Sequence, residues 1–216
     1  MSASKVELIK DGKRARLKAA NRQAILDAAR RVFARLGYDA TNVRDIIRET
    51  QLAAGTFYNY FKSKEEVFQS LANSSAIRFR PHLQSVRDAS GDFETFIRGA
   101  YRAYFQFLED ENRDAMSMGA PHMALIGVRA DTPEMQAIFE EIRSDIEAKL
   151  AGSDGIELDS EYLTAAAIGI ARDLGDHMLR RTPVDVDAAT EFASELFLKG
   201  IQGILTIKKH EQELEG

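Results

Sequence analysis

The groups with most chemistry to offer lie together at Gly55-Thr56-Phe57-Tyr58-Asn59-Tyr60-Phe61-Lys62-Ser63-Lys64-Glu65-Glu66. A hydroxyl, a primary amide and two phenols beside a glycine can hydrogen-bond to base edges and phosphates; none of them is placed to break a covalent bond. Catalytic constellations are missing elsewhere. The chain has no Cys and its four His (His82, His122, His177, His210) are scattered. It has no His-Glu-x-x-His, no Glu-x-x-His pair, no phosphate-binding glycine loop and no serine elbow, so no catalytic residue, metal or cofactor is assigned. The lack of Cys also removes disulfides and thiolate ligands, and fits a reducing compartment without proving one.

Stepping along an α-helix at 100° per residue puts Phe57 and Phe61 on one face and Gly55, Thr56, Asn59 and Tyr60 on the other. The aromatic face is expected to pack on Ile25, Phe33, Ile46 and Leu52. The polar face is then free to enter a major groove, with Ala54 and Gly55 at the helix start, where a missing side chain lets backbone approach. Tyr58 falls on the flank, within reach of phosphate. Thr41 and Asn42 at one helix start, and Lys64 at another, add N–H groups and a cation where phosphates would pass.

The elements that must position this segment read as helices. Ile25, Leu26, Ala29, Val32, Phe33 and Leu36 form one apolar stripe, which predicts a helix capped by Asn21 and stopped at Gly37. Thr41 caps a short helix carrying Val43, Ile46 and Ile47, and the segment 53–60 is a third. Ser63-Lys64-Glu65-Glu66 has capping-box spacing and should open a longer helix, ending near Phe79 before Pro81. Further helices follow from the stripe Phe93 to Leu108, from Thr132-Pro133-Glu134 to about 151, over 160–181 and over 187–209. No stretch alternates as a strand would, so the fold class is all-α.

Charge divides the chain. Residues 1–66 carry 14 Lys+Arg against 8 Asp+Glu, whereas the remainder carries 15 against 26, so a +6 head precedes a −11 body. A basic end and an acidic body suit a polyanionic partner at the first and not the second. Lys10, Lys13, Arg14, Arg16, Lys18 and Arg22 form a basic arm, read either as a phosphate or minor-groove contact or as a solvated leader. No apolar leader opens the sequence and no apolar run approaches the ~18 residues of a membrane span, so the expectation is a cytoplasmic protein with no membrane partner.

Three closely spaced helices of this kind resemble a helix-turn-helix. More specifically, Ile25-Leu26-Asp27-Ala28-Ala29, Val32-Phe33, the run Gly37 to Ile46 and above all Gly55 to Val67 resemble the tetracycline-repressor (TetR-like) family of transcriptional regulators. The match covers the first third of the chain; the rest agrees only in layout. The resemblance implies a homodimer that binds a palindromic double-stranded operator, probing bases with Ala54, Gly55, Thr56, Asn59 and Arg44 and clamping phosphate with Thr41, Asn42, Tyr58, Tyr60 and Lys64. It also implies a small-molecule effector bound by the C-terminal part. Two positions depart from the family pattern. Gln51 stands where a turn glycine is usual and Ala53 where a Ser cap is usual, a loss of about 0.5 to 2 kcal/mol. Tyr60 replaces a His.

The domain reading is therefore an arm over 1–20, a DNA-binding head over 21–66 and a ligand and dimer body over 67–216. Candidate effector contacts are Tyr101, Phe105, Met116, His122, Met123 and Phe139, the Met-rich segment being broken by Gly119 and Pro121, together with Arg172 and His177. With Asp173, the last two also read as a buried or interfacial network, since two ligands make a poor metal site. Small residues beside large ones mark Ala166, Ile170, Leu196, Phe197, Gly200, Ile201 and Ile204 as dimer candidates, with packing inside one chain as the alternative. A DNA-binding protein of the same fold without an effector is the competing function.

Overall fold

The computed structural model describes residues 3–117, 132–150 and 158–215. Among the described residues there are seven α-helices and one 3-10 helix, and no strand. The α-helices are α1 (Ala3–Leu36), α2 (Val43–Arg48), α3 (Lys64–Ala89), α4 (Phe93–Ser117), α5 (Pro133–Leu150), α6 (Ser160–Leu179) and α7 (Val186–Glu215), with the 3-10 helix at Ala54–Asn59. No helix of the described residues is long and apolar enough to cross a membrane.

Two separate apolar cores organise these elements. The head core joins Ile25, Val32 and Phe33 of α1 to Ile46 of α2, Phe57 and Phe61, and it also takes Val67, Phe68 and Leu71 from the start of α3. The body core is built around α4, which packs against α3, α5, α6 and α7. Its buried stripe Phe96, Ile97, Tyr101, Phe105 and Leu108 recurs at helical spacing. One helix, α3, therefore contributes to both cores.

Several boundaries differ from expectation. Asn21 does not cap a helix, because α1 continues from Ala3 without a break; its amide donates instead to the Tyr60 hydroxyl at 3.2 Å. Gly37 does end α1, with φ of 80° in the left-handed region. The cap of α2 is Asn42, not Thr41. Its side chain accepts from the Arg44 and Asp45 amides and the Asp45 carboxylate answers from the Asn42 amide, a reciprocal capping box. At α3 the box is only half made: Ser63 accepts from the Glu66 amide, but the Glu66 carboxylate takes the Lys62 amide one residue upstream.

Pro81 does not stop α3, which runs on to Ala89. An internal proline costs about 3 kcal/mol. Packing on both sides of it offsets that cost: Ala76 and Leu83 are buried, Phe79 lies against Tyr104 and Phe107, and Arg87 binds Asp145 of α5 through Nε and Nη2, each at 2.7 Å. Thr132 caps α5 by accepting from the Met135 amide, and Asp159 caps α6. Arg98 of α4 reaches Glu195 of α7 at 2.6 Å; that guanidinium, followed by Lys199, holds the Glu195 carboxyl down to about 2.

α4 and α6 come close at Gly175, where the missing side chain leaves room for Leu108. A Cβ there would stand 2.5 Å from Leu108 Cδ1, with Tyr104 and Phe105 close behind. Gly175→Val should therefore lower stability by about 1 to 3 kcal/mol through overpacking, read as a lower urea midpoint. An unchanged midpoint would mean that α4 and α6 do not meet at this distance.

Candidate nucleic-acid interface and body cavity

The 3-10 helix at Ala54–Asn59 is where the chain presents its polar edge, and its tightness changes which residues line up. With three residues per turn, side chains three apart eclipse one another. Phe57 is 0% exposed and Phe61 2% exposed, both in the head core. Thr56 and Asn59 form a second column, Asn59 exposed and Thr56 partly so, while Gly55 and Tyr58 are exposed, Tyr58 at 64%. Tyr60 follows Phe57 by three and belongs with the inner edge: it is half-buried, packs on the head core and receives the Asn21 amide on its hydroxyl. An α-helical wheel placed Tyr60 on the outer face; the tighter winding turns it inward.

Among the described residues nothing requires glycine at 55, since a Cβ there would meet none of them within 4 Å. Ala54 beside it is also exposed. The Ala53 cap position makes no side-chain bond. The turn lacking glycine at 51 is held instead by Thr50, whose hydroxyl donates to the Ile47 carbonyl at 2.8 Å and accepts from the Leu52 amide at 3.1 Å.

Two expected phosphate contacts are committed elsewhere. Thr41 is buried and its hydroxyl donates to the Gly37 carbonyl at 2.7 Å. Lys64 donates its ammonium to three backbone carbonyls, those of Tyr38 (2.9 Å), Asp39 (3.2 Å) and Thr41 (2.9 Å), and lies over the Tyr38 ring. It closes the loop between α1 and α2, using all three of its N–H donors. Asn42 is exposed, but its side-chain oxygen is spent on the cap. Arg44 is exposed, and Arg48, one turn on, shares its face. Among the described residues Arg44, Arg48 and Lys62 make no ion pair, whereas Arg31 and Arg35 both bind Glu49. Arg48 and Lys62 were legible only as charge, because their spacing carries no signal of its own.

The body holds a cavity of about 950 Å³ bounded by α3, α4, α5 and α6, reaching Arg30 of α1. Tyr101, Phe139 and Arg172 line it. Phe105 does not; it is wholly buried in the core. Met116 and His177 are exposed and off the cavity wall, because each lies on the solvent side of its helix. His122 and Met123 lie outside the described residues. Among the described residues Arg172 pairs with its neighbour Asp173, at 2.9 Å, and with no other acid, so the anticipated network shrinks there to that pair. Among the described residues no cluster could hold a metal.

Polar wall groups that the sequence did not single out include Tyr104, Asn112 and Thr164, with charged groups such as Arg78, Glu111 and Arg143 also on the wall. Burial pushes the Tyr104 hydroxyl up to about 12, with the Arg172 charge acting in the opposite sense. The Tyr101 hydroxyl, also raised by burial, donates to the Ala167 carbonyl at 3.3 Å. Asn112 is buried, and its amide oxygen has no partner among the described residues. The wall is thus mostly apolar with a few fixed polar points, as small-molecule sites are.

On α7, Phe192, Leu196, Ile204 and Ile207 are exposed, with Leu196 at 52%, and Gly200 lies open on the same side. Ala166 on α6 is also exposed. Phe197 and Ile201 point the other way, into the body core, and Ile170 packs partly against it. These three follow the inner helix faces, so small-beside-large spacing did not separate inside from outside. Phe192 and Ile207 continue the exposed stripe at spacings of about one turn.

Residues 25–71 match the family profile described as "Bacterial regulatory proteins, tetR family". The HTH-type transcriptional regulator TcmR of Streptomyces glaucescens is 25% identical over 197 residues, 89% of this chain and 86% of its own. The HTH-type transcriptional repressor AcnR of Corynebacterium efficiens is 40% identical over 58 residues, 27% of this chain and 31% of its own. The fold is shared with the transcriptional regulator FadR of Bacillus subtilis in its complex with stearoyl-CoA, at a TM-score of 0.63 and 19% identity over 82% of this chain and 98% of that one.

Arg44 and Lys64, both expected at the nucleic acid, should separate in experiment. Lys64→Ala should cost about 1 to 3 kcal/mol of stability through lost charge-assisted hydrogen bonds. Arg44→Ala should leave stability within about 0.5 kcal/mol and flatten the salt dependence of DNA binding by about one unit. Urea melts and salt titrations of both variants check this, and an unaltered melt for Lys64→Ala would contradict it.

Proposed function

The chain belongs to the tetR family of bacterial regulatory proteins, and from that premise we propose that it is a ligand-responsive repressor. In this reading a homodimer binds a palindromic operator and is released by an apolar or amphipathic small molecule. The observation that carries the DNA half is the outward column Thr56 and Asn59 set on a buried Phe57. Thr56 and Asn59 read base edges in the major groove, while Ala54 and Gly55 let the backbone approach. Arg44, expected at base edges, stands exposed one turn from Arg48 and is reassigned with Arg48, Tyr58 and Lys62 to phosphates, which set register without sequence information. The reading unit over 21–66 borrows Val67, Phe68 and Leu71 for its core, and 67–216 is the sensing and pairing body.

The cavity supports the sensing half, and its size and apolar wall suit a long-chain amphipathic effector with its polar end toward Arg172 and Tyr104. The stearoyl-CoA held by the B. subtilis neighbour is of that class. The word repressor rests on relatives that carry it, AcnR among them. The exposed stripe on α7 with Ala166 of α6 supports pairing of two copies, which would place two heads on half-sites ~34 to 36 Å apart.

Binding-site selection from a random duplex pool tests the DNA half: Asn59→Ala should lose preference at one position per half-site, and a uniform loss across sequences would move Asn59 to the backbone. For the effector, saturated fatty acids of increasing length and their coenzyme A thioesters should raise the melting temperature above that with short polar acids. No shift with any of them, or with a wider apolar set, would favour a DNA-binding protein without an effector. Leu196→Glu should give monomers by light scattering with weakened operator affinity, and a dimer that survives would relocate the interface.

A further inference from the structure

The cavity wall carries a polar group whose bonding is unfinished. Its neighbours are spent: Ser75 donates to Glu111 at 3.1 Å, the Tyr101 hydroxyl to the Ala167 carbonyl at 3.3 Å and the Thr164 hydroxyl to the Ser160 carbonyl at 2.7 Å. Asn112 differs. It lines the cavity and is 8% exposed. Among the described residues its amide oxygen has no partner and its nitrogen reaches only the Met116 sulfur, at 3.8 Å, which is a weak acceptor. A buried amide left in this state costs free energy that a bound group can recover.

The charges beside it select the kind of group. Glu111, next to Asn112 on the same wall, takes Arg78 through Nε at 2.9 Å and Nη2 at 2.6 Å. Arg30, where the cavity approaches the head, pairs with Asp27 at 3.3 Å. Asp114 adds a further negative charge to the wall. Among the described residues both cations are therefore matched by acids, and an anionic group of the effector would gain nothing here. An ionised carboxylate also only accepts hydrogen bonds, so it has no proton to give the amide oxygen. A hydroxyl has one. Arg172 is the contrasting point on the wall: its partner Asp173 has a side chain 71% exposed, which leaves the guanidinium available to an anion from the cavity side.

The two points have a spacing. Tyr104, beside Arg172 in charge, and Asn112 lie eight residues apart on α4, about 12 Å along its axis. An extended chain advances about 1.2 Å per bond, since the three backbone bonds of a residue span ~3.3 to 3.6 Å.

We infer that Asn112 is a specificity-determining residue for the effector, receiving a hydroxyl carried about ten bonds along the chain from the polar end held near Arg172 and Tyr104. This rests on the effector reading proposed above and narrows it to hydroxylated long-chain acids.

The test uses the full chain and three fatty acids of one length: stearic acid, its derivative with a hydroxyl about ten carbons from the carboxyl, and the oxo acid at the same carbon, which accepts but cannot donate. Calorimetric titration should find the hydroxy acid bound about tenfold more tightly than the other two. Asn112→Leu, close in shape and apolar, should erase that preference while keeping the affinity for stearic acid. Asn112→Ala, read by the ratio of affinities alone, covers the case that leucine overpacks. Equal affinity of the wild-type chain for all three overturns the inference and leaves the effector reading standing. An oxo acid that matches the hydroxy acid overturns it too, since the amide would then act as the donor. A preference that survives in either variant moves the hydroxyl contact away from Asn112, and a variant that loses stearic acid as well makes Asn112 a support of the wall; both results overturn the inference. If the wild-type chain binds none of the three, the inference and the long-chain effector reading fall together.

Discussion

The burial of Phe57 under α1 and α2 is the contact on which the reading edge depends. A six-residue helix has too few internal hydrogen bonds to hold itself, so its orientation comes from tertiary packing. With Phe57 and Phe61 sunk in the head core, the intervening polar residues have nowhere to go but outward. The surrounding bonds serve that placement. Thr50 shapes the entry, Lys64 ties down the loop behind it, and the Glu49 ion pairs hold α2 against α1. The reading edge is thus made by what lies beneath it.

Much of this was legible in the residues themselves. The helical class, the inward phenylalanines, Gly37 as a stop and Thr132 as a cap follow from spacing and capping chemistry. The errors have particular causes. Asn21 looked like a cap because capping chemistry is local, whereas the extension of α1 past it is not. Pro81 looked like a stop because its cost is local and the packing that offsets it comes from α4 and α5. Tyr60 was turned the wrong way because a wheel assumes 3.6 residues per turn, and this segment winds tighter.

The candidate contacts divide along the same line. Tyr101, Phe139 and Arg172 reach the cavity, but periodicity cannot tell a residue facing a void from one facing a neighbour, so Phe105 was grouped with them. Tyr104 and Asn112 also line the cavity, but an aromatic among aromatics and an amide among charges carry no signal of their own. Lys64 carried a charge of the right sign at a helix start, and only coordinates reveal three carbonyls waiting for it. Inside and outside on α7 could not be assigned without knowing which side α4 occupies.

α3 belongs to two cores at once, and that has a mechanical corollary. Its 26 residues make a rod of about 39 Å, gripped near one end by the head and along the other by the body. Such a rod acts as a lever with its load at Phe68. Pivoted in the body by only about 5°, it carries its far end through about 3 Å, more than the tolerance of a hydrogen bond.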